Sequence, residues 1–272
     1  MSQRTIYAVL AHWSIWGVDF GQAPKIGTVE FVKKAVAAGW KMINLGMFLG
    51  EMHPDELKGD KLDKLIEKLQ ATGAKFFITP WMWSQNALTD PKDWLAQLDV
   101  IFPVVEAFQK AGLLIVIPGH RPVLRTDTGD SYADGESWDD FIAIRNKLAP
   151  TLRDGAKKVA DRLGWRMTCE PEHKFQGFSS PNRVLSMCEA VNHPAFALTA
   201  DGPHVHHINV LGSGNADPSE LVTDIGAAVR KWSPFVGEWH FGETCAEEAQ
   251  PGADSPHITT ALHLLFGHER GI

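Results

Sequence analysis

Short apolar runs alternate with amphipathic segments along almost the whole chain, and this alternation restricts the fold more than any other feature. The segments between the runs carry apolar residues at helical spacing and are bounded by glycine or proline. Strands that alternate with helices in this way predict an α/β protein with a parallel sheet. We predict a TIM-type (β/α) barrel in which residues 1–272 form one domain that lacks a normal eighth strand. The predicted strands are residues 5–12, 40–45, 75–79, 113–117, 165–168, 196–200 and 235–240.

The predicted helices contain several features that affect their limits. Thr28 fits an N-cap, Pro103 predicts a break in the third helix, and Pro150 predicts a bend or split in the fourth. Residues 125–136 are polar and are predicted to form a surface loop, a candidate lid over the active face. Residues 258–266 are predicted to be helical. The helices are predicted over residues 28–38, 61–71, 91–110, 138–163, 182–191 and 218–231.

Charge and cysteine usage exclude some classes of protein. The net charge is −7 and no basic block is present, which argues against binding nucleic acid or an anionic membrane. Three cysteines cannot all pair and none forms a Cys-x-x-Cys motif, so we expect a reducing cytoplasm. Residues 6–11 are too short to span a bilayer and lack a basic leader, so we expect no signal peptide.

Carboxylate and imidazole side chains stand where three of the predicted strands end. Glu170 follows the fifth strand, Asp201 and His204 follow the sixth, and His240 ends the seventh. Because the carboxyl ends of barrel strands share one face, these side chains are expected to converge. A divalent cation such as Mn²⁺, Mg²⁺, Co²⁺ or Zn²⁺ accepts such mixed ligands. We predict a metal site at Glu170, Asp201 and His240; the alternative is three polar groups satisfied by loop backbone.

A metal site of this kind supports one family of reactions. A bound cation polarises a carbonyl group, and a nearby carboxylate can then remove the proton beside that carbonyl to give an enediolate. Returning the proton to another carbon isomerises a sugar, and returning it to the other face epimerises it. Expelling a β-hydroxyl group instead makes the enzyme a dehydratase. One arrangement of residues serves all three outcomes, so the residues alone do not choose among them.

The same motifs resemble those of a known superfamily. Glu170-Pro171, Asp201-x-x-His204 and His240 are similar to motifs of the sugar-phosphate isomerase/epimerase superfamily, the xylose-isomerase-like barrels. The resemblance implies that Glu170, Asp201 and His240 bind the metal and that His204 contacts the substrate.

In that superfamily a further glutamate from the eighth strand is both a metal ligand and the catalytic acid/base. No eighth strand is predicted here, so the second carboxylate must come from elsewhere. Glu243, three residues beyond His240, is the nearest replacement, with Glu172 as the runner-up. The predicted catalytic residues are therefore Glu170, Glu243 and His204.

Ten tryptophans suggest an aromatic lining for a sugar-like ligand, although core packing explains them equally well. For His120, beside Arg121, a surface salt bridge is the alternative to a substrate contact. The residues predicted to bind substrate are His12, Trp16, Trp81, Trp83, His120, Glu172 and His206.

The favoured function is a divalent-metal-dependent isomerase or epimerase that acts on a sugar or keto-sugar in carbohydrate metabolism. The alternatives are a keto-sugar or keto-inositol dehydratase and a non-catalytic carbohydrate-binding barrel. An endonuclease would need a basic groove that the charge pattern lacks. Unpaired edges on the first and seventh strands predict a cover, either by the terminal segment or by a second copy in a homo-oligomer.

Overall fold

The computed structural model describes residues 10–11, 26–47, 50–83, 86–126, 137–171, 181–202, 224–240, 243–247 and 260–264. The chain divides into two compact units. The first comprises Met1–Trp81 and Leu98–Pro122, and the second comprises Met82–Gln97 and Val123–Ile272.

The first unit contains three parallel strands in chain order, separated by helices. Strand β1 pairs with β2, and β2 pairs with β3. Their burial is typical of parallel strands covered by helices on the outside. The elements are β1 (Leu10–Ala11), α1 (Thr28–Ala37), β2 (Met42–Met47), a short 3₁₀ helix (Gly50–Met52), α2 (Asp60–Gln70) and β3 (Lys75–Met82).

Helix α1 begins differently from the prediction. Its N-cap is Gly27, and Thr28 is the first helical residue, so the N-cap assignment of Thr28 is wrong. The backbone N–H of Thr28 donates to the carboxylate of Glu51 from the 3₁₀ helix. The first N–H groups of a helix have no intrahelical acceptor. A carboxylate distant in sequence therefore does what an N-cap side chain would do.

The predicted fourth strand, residues 113–117, is shorter than expected. Leu114 forms an isolated parallel bridge with Phe76, and the N–H of Phe76 donates to the Leu113 carbonyl at 2.8 Å. Pro118 then begins a turn, because it lacks the N–H that a longer ladder would need. The full strand at this point of the chain is Val123–Thr126, in the second unit.

The second unit carries four parallel strands that are neighbours in chain order. Strand β4 pairs with β5, β5 with β6, and β6 with β7. Helix α4 packs against α5 and β5. The strands and helices are β4 (Val123–Thr126), α4 (Trp138–Leu163), β5 (Arg166–Cys169), α5 (Pro181–Val191), β6 (Phe196–Asp201), α6 (Ile225–Trp232) and β7 (Val236–His240).

Two helices continue through an internal proline. Helix α3 (Pro91–Lys110) includes Pro103, and α4 includes Pro150. The predicted break at Pro103 is therefore wrong, and α4 is not split. A proline removes one backbone hydrogen bond. The buried neighbours Phe102, Val104 and Val105 anchor α3 on both sides of that position.

After β7 the structure departs from the prediction again. Strands β8 (Glu243–Glu247) and β9 (Thr260–Leu264) form an antiparallel pair in which Glu243 lies opposite Leu264. The predicted helix over residues 258–266 is therefore wrong at residues 260–264. The apolar residues Leu262 and Leu264 alternate with the polar His263, which is the pattern of a strand rather than a helix. Among the described residues, no parallel strand follows β7.

In the described part of the chain, none of the helices is both long and apolar enough to cross a bilayer.

Two cysteine thiols, those of Cys169 and Cys188, lie buried inside the second unit. Burial raises the pKa of Cys188 to about 12. Because the thiolate is the reactive form, we expect both thiols to react with Ellman's reagent only after denaturation. Native protein should then show at most one reactive thiol, that of Cys245, and denatured protein all three. Rapid reaction of two or more thiols in the native protein would contradict this burial.

Candidate metal centre

Three neighbouring strands bring one carboxylate or imidazole side chain each to the same end of the sheet. Glu170 follows the last residue of β5, Asp201 ends β6, and His240 ends β7. Asp201 and His240 are direct partners in the β6–β7 ladder. The strands run parallel, so their carboxyl ends meet at one edge, as predicted.

A bulge in β7 sets the direction of its side chains. Leu198 lies opposite Val236 and Thr199 opposite Glu238, so Gly237 is an extra residue between two ladder pairs. A Cβ at Gly237 would lie 2.9 Å from Thr168 Cγ2 and 3.0 Å from the Cβ of Ala197. Only glycine fits this approach without displacing a neighbour. From the bulge onward, Glu238 and His240 share one face of the strand.

The three side chains form a tight cluster. His240 Nδ1 lies 3.1 Å from Glu170 Oε1 and 3.1 Å from Asp201 Oδ2. Each of Glu170, Asp201 and His240 offers one potential ligand atom, and these three atoms lie within 4.8 Å of one another. The side chains of Glu170 and Asp201 are each 1% exposed, and that of His240 is 20% exposed. Two carboxylates are therefore held out of water, with one partly open imidazole between them.

Arg125 supplies a positive charge to this cluster. It lies in β4 and forms an ion pair through Nη2 with Glu170 Oε2. Residues 125–136 were predicted to be a surface loop, but Arg125 and Thr126 belong to a buried strand, so that prediction is wrong for these two residues. Residues 127–136 lie outside the described part. The ion pair occupies one oxygen of Glu170 and leaves Oε1 directed at His240.

A third carboxylate lies on the other side of the imidazole. Glu238 Oε2 is 3.5 Å from His240 Nε2. The ring therefore has carboxylates beside both nitrogens, Glu170 and Asp201 at Nδ1 and Glu238 at Nε2. With His240 neutral, three carboxylates and the Arg125 guanidinium leave two negative charges, which one divalent cation would balance.

These charges determine the protonation of His240. Burial alone would lower the pKa of the imidazole. The carboxylates of Glu238 and Glu170, together with hydrogen bonds to Asp201 and Glu170, outweigh burial and raise the pKa of His240 well above its ordinary value. Without a metal, these carboxylates therefore favour a proton on the ring. A cation bound at Nδ1 would take the place of that proton.

The cluster fits a divalent cation by its donors and its spacing. Two carboxylate oxygens and one imidazole nitrogen form a set that Mn²⁺, Mg²⁺, Co²⁺ and Zn²⁺ accept. Neighbouring ligands on an octahedral ion at about 2.1 Å lie about 3.0 Å apart. The separations from His240 Nδ1 to Glu170 Oε1 and Asp201 Oδ2 are 3.1 Å. One ring nitrogen carries one proton at most, so a shared cation satisfies both buried carboxylates better than a single hydrogen does.

Comparison with known proteins gives no match by sequence and several by structure. No protein-family model and no curated protein matches the chain. The probable 3-DHS dehydratase AsbF from Bacillus anthracis superposes with a TM-score of 0.61 at 14% identity, over 93% of this chain and 83% of that one. D-psicose 3-epimerase superposes with a TM-score of 0.57 at 13% identity, over 90% of this chain and 76% of that one. The IolI protein, solved with a bound zinc atom, superposes with a TM-score of 0.56 at 13% identity, over 92% of this chain and 77% of that one.

The chain has an α/β fold of the TIM-barrel type, similar to that of these proteins. At these identities the likeness concerns the fold. The fold class predicted from the alternation of strands and helices is confirmed.

The described part of the chain includes some of the predicted substrate-binding residues. Trp81 is half-buried in β3, Trp83 follows that strand, and His120 is exposed with its ring 6.2 Å from that of Phe77. Glu243 begins β8, and its side chain lies outside the description. Their roles stay predictions. The predicted residues outside the described part are His12, Trp16, Glu172, His204 and His206.

The sequence reasoning missed two residues of the cluster. Glu238 could have been found from its position two residues before His240, because such residues share a face of a strand. Arg125 gave no comparable signal, since it opens a polar stretch that is typical of a loop.

Proposed function

We propose that this protein is a divalent-metal-dependent isomerase or epimerase that acts on a sugar or keto-sugar through an enediolate. The observation that carries the proposal is the buried Glu170–Asp201–His240 cluster at the ends of three parallel strands. The fold it shares with an epimerase, a dehydratase and a zinc-containing protein supports the same class of reaction. Fold alone does not fix an activity, so the site must carry the argument.

Glu170, Asp201 and His240 would hold the cation, and their ligand chemistry suits manganese, magnesium, cobalt or zinc. When bound, such an ion supplies Lewis acidity to a substrate carbonyl or hydroxyl oxygen. Of the three side chains only that of His240 is partly exposed, so we expect a substrate to reach the cluster on the side of His240.

Different residues are proposed to bind the metal and to transfer the proton. Both oxygens of Glu170 are engaged, one by His240 and one by Arg125, which suits a ligand better than a mobile base. A second carboxylate is then needed to move the proton beside the carbonyl. Glu243 is our candidate for it, with Glu172 as the runner-up, and His204 is the candidate substrate contact.

The proposal also covers the substrate contacts, the location and the oligomeric state of the enzyme. The side chains proposed to contact the sugar are His12, Trp16, Trp81, Trp83, His120, Glu172 and His206. We further propose a single domain, a cytoplasmic location and a homo-oligomer in which a second copy covers a sheet edge. The net charge of −7 supports a small-molecule substrate rather than a nucleic acid.

Proton exchange with solvent tests the reaction directly. The protein is incubated in D₂O with Mn²⁺ and a panel of ketopentoses, ketohexoses and their keto-acid derivatives, and the products are followed by NMR. We expect deuterium to enter the carbon beside the carbonyl of at least one compound, together with the appearance of its isomer or epimer. Metal-free protein and the Asp201→Asn variant are the matched controls and should show no exchange.

Two results would overturn this function. Loss of water from a keto compound, with formation of a new double bond, would identify a dehydratase. Binding of a sugar with no exchange anywhere in the panel, in the presence of bound metal, would identify a non-catalytic carbohydrate-binding barrel.

A further inference from the structure

The two nitrogens of His240 face different carboxylates. Nδ1 is 3.1 Å from both Glu170 Oε1 and Asp201 Oδ2, the two proposed ligand atoms. Nε2 is 3.5 Å from Glu238 Oε2. Glu238 lies two residues before His240 on the same strand, directly opposite Thr199. The backbone of β7 therefore fixes Glu238 beside the ring edge that points away from the proposed ligands.

A neutral imidazole has one nitrogen with a lone pair and one with a hydrogen, and a metal can bind only the first. Without help, the two carboxylates at Nδ1 favour the hydrogen on that nitrogen, which blocks it as a ligand. A carboxylate near Nε2 opposes this preference, because Nε2–H presents a hydrogen to an anion whereas bare Nε2 presents a lone pair. Carboxylates behind metal-bound histidines act in this way in other metalloproteins.

We propose that Glu238 is a positioning residue that holds His240 with its hydrogen on Nε2 and leaves Nδ1 for the metal. This rests on the proposed function, since it assigns a role within the same metal site. At 3.5 Å the contact is longer than a good hydrogen bond, so the attraction between Glu238 and the ring edge is mainly electrostatic. Both side chains are 20% exposed, so this attraction is only partly screened by solvent.

Gly237 strengthens the geometric part of this proposal. The bulge at Gly237 puts Glu238 in register with Thr199 and His240 in register with Asp201. The close approach at Gly237 to Thr168 and Ala197 anchors the strand immediately before Glu238. The carboxylate therefore starts from a rigid backbone position, which a positioning residue requires.

The positioning role of Glu238 is tested by measuring the zinc affinity of the metal-free protein. Isothermal titration with Zn²⁺ is compared for wild type and for the Glu238→Gln, Glu238→Asp and Glu238→Ala variants. We expect Glu238→Ala to weaken zinc binding about 10- to 100-fold, the usual range for such partners of metal-bound histidines. Glu238→Gln keeps the shape and an acceptor oxygen but loses the charge, and should fall between wild type and Glu238→Ala. Glu238→Asp keeps the charge and should rescue part of the affinity.

Glu189→Gln is the matched control. Glu189 is an exposed residue of α5 in the same unit, so this variant makes the same chemical change away from the cluster. Its zinc affinity should equal that of wild type. Thermal unfolding of each metal-free variant is measured in parallel, and if Glu238→Ala does not fold, the Gln and Asp variants carry the comparison.

NMR of protein labelled with ¹⁵N-histidine supplies a readout that a purely structural role would not move. In the zinc-bound wild type we expect His240 to show zinc at Nδ1 and a hydrogen at Nε2. Zinc at Nε2 would overturn the proposal. So would zinc affinities within twofold of wild type for both Glu238→Gln and Glu238→Ala.

The zinc titrations distinguish failure of the Glu238 role from failure of the proposed function. If the wild type binds no zinc, manganese, magnesium or cobalt, the metal-dependent function itself fails. If the wild type binds zinc and the Glu238 variants bind it equally well, only the role of Glu238 fails. Normal affinity combined with a lost solvent exchange reaction in Glu238→Gln would make Glu238 an acid/base rather than a positioning residue.

Discussion

The Asp201→Asn variant should lose most of the thermal stabilisation that Mn²⁺ gives to the wild-type protein. Asparagine keeps the shape of the side chain but removes one of the two buried negative charges beside His240. A cation that binds only the folded protein stabilises it by about 2.7 kcal/mol at 100 times its dissociation constant. For a chain of this size that corresponds to a rise in Tm of roughly 5–10 °C.

Loss of a direct ligand should weaken binding by at least about 100-fold, beyond the range for indirect partners. At the same Mn²⁺ concentration, the shift in Tm of Asp201→Asn should then be under about 2 °C.

Differential scanning fluorimetry with and without Mn²⁺ makes the comparison, and metal analysis of the dialysed protein gives the occupancy. The control is Asp154→Asn, which removes an exposed carboxylate on α4 in the same unit. It should respond to Mn²⁺ as wild type does. An Asp201→Asn variant with full metal content and a wild-type shift would remove Asp201 from the site.

The Gly155→Ala variant should unfold more easily than wild type, by up to about 2 kcal/mol. Gly155 lies on α4, and a Cβ there would be 2.8 and 2.9 Å from two ring carbons of Trp94 and 3.0 Å from Met167 Cε. Trp94 is fully buried, so its ring cannot move aside without disturbing the core. Overpacking of this kind costs about 1–3 kcal/mol, and the better helix propensity of alanine offsets about 1 kcal/mol of that.

Urea denaturation followed by tryptophan fluorescence measures the change. Gly226→Ala is the control, because it makes the same substitution in α6. The nearest atoms there are side-chain ends, Asp224 Oδ1 at 3.3 Å and Arg230 Nη1 at 3.6 Å. The better helix propensity of alanine should leave this variant as stable as wild type or up to about 1 kcal/mol more stable. Equal stability of the Gly155 and Gly226 variants would mean that the contact between α4 and Trp94 is looser than described.

The sequence predicted the part of the fold that depends on hydrophobic periodicity. The strands that carry Glu170, Asp201 and His240 lie within one or two residues of their predicted positions, because each lies between a helical segment and a polar loop. The convergence of these side chains followed from a single rule, that parallel strands end at one edge. Long helices such as α3 and α4 were predicted for the same reason of clear periodicity.

Features that depend on tertiary contacts were missed. Arg125 stands in a polar stretch, and pairing of β4 with β5 makes that segment a strand despite its composition. Pro103 should break a helix by local preference, but buried neighbours hold α3 together. Thr28 is a good N-cap by composition, yet Glu51 accepts its backbone N–H. For Arg125 and Thr28 a partner distant in sequence overrides the local signal, and for Pro103 burial of the helix does so.

The bulge at Gly237 has a consequence for how this protein can change by insertion and deletion. Upstream of it Val236 pairs with Leu198, and downstream of it Asp201 pairs with His240. In a regular strand, a shift of one residue turns every side chain to the other face. A bulge absorbs such a shift, so a residue gained or lost in the segment before β7 need not reorient His240. The chain leading into the strand can therefore diverge in length between relatives while the register of the candidate metal ligands is preserved.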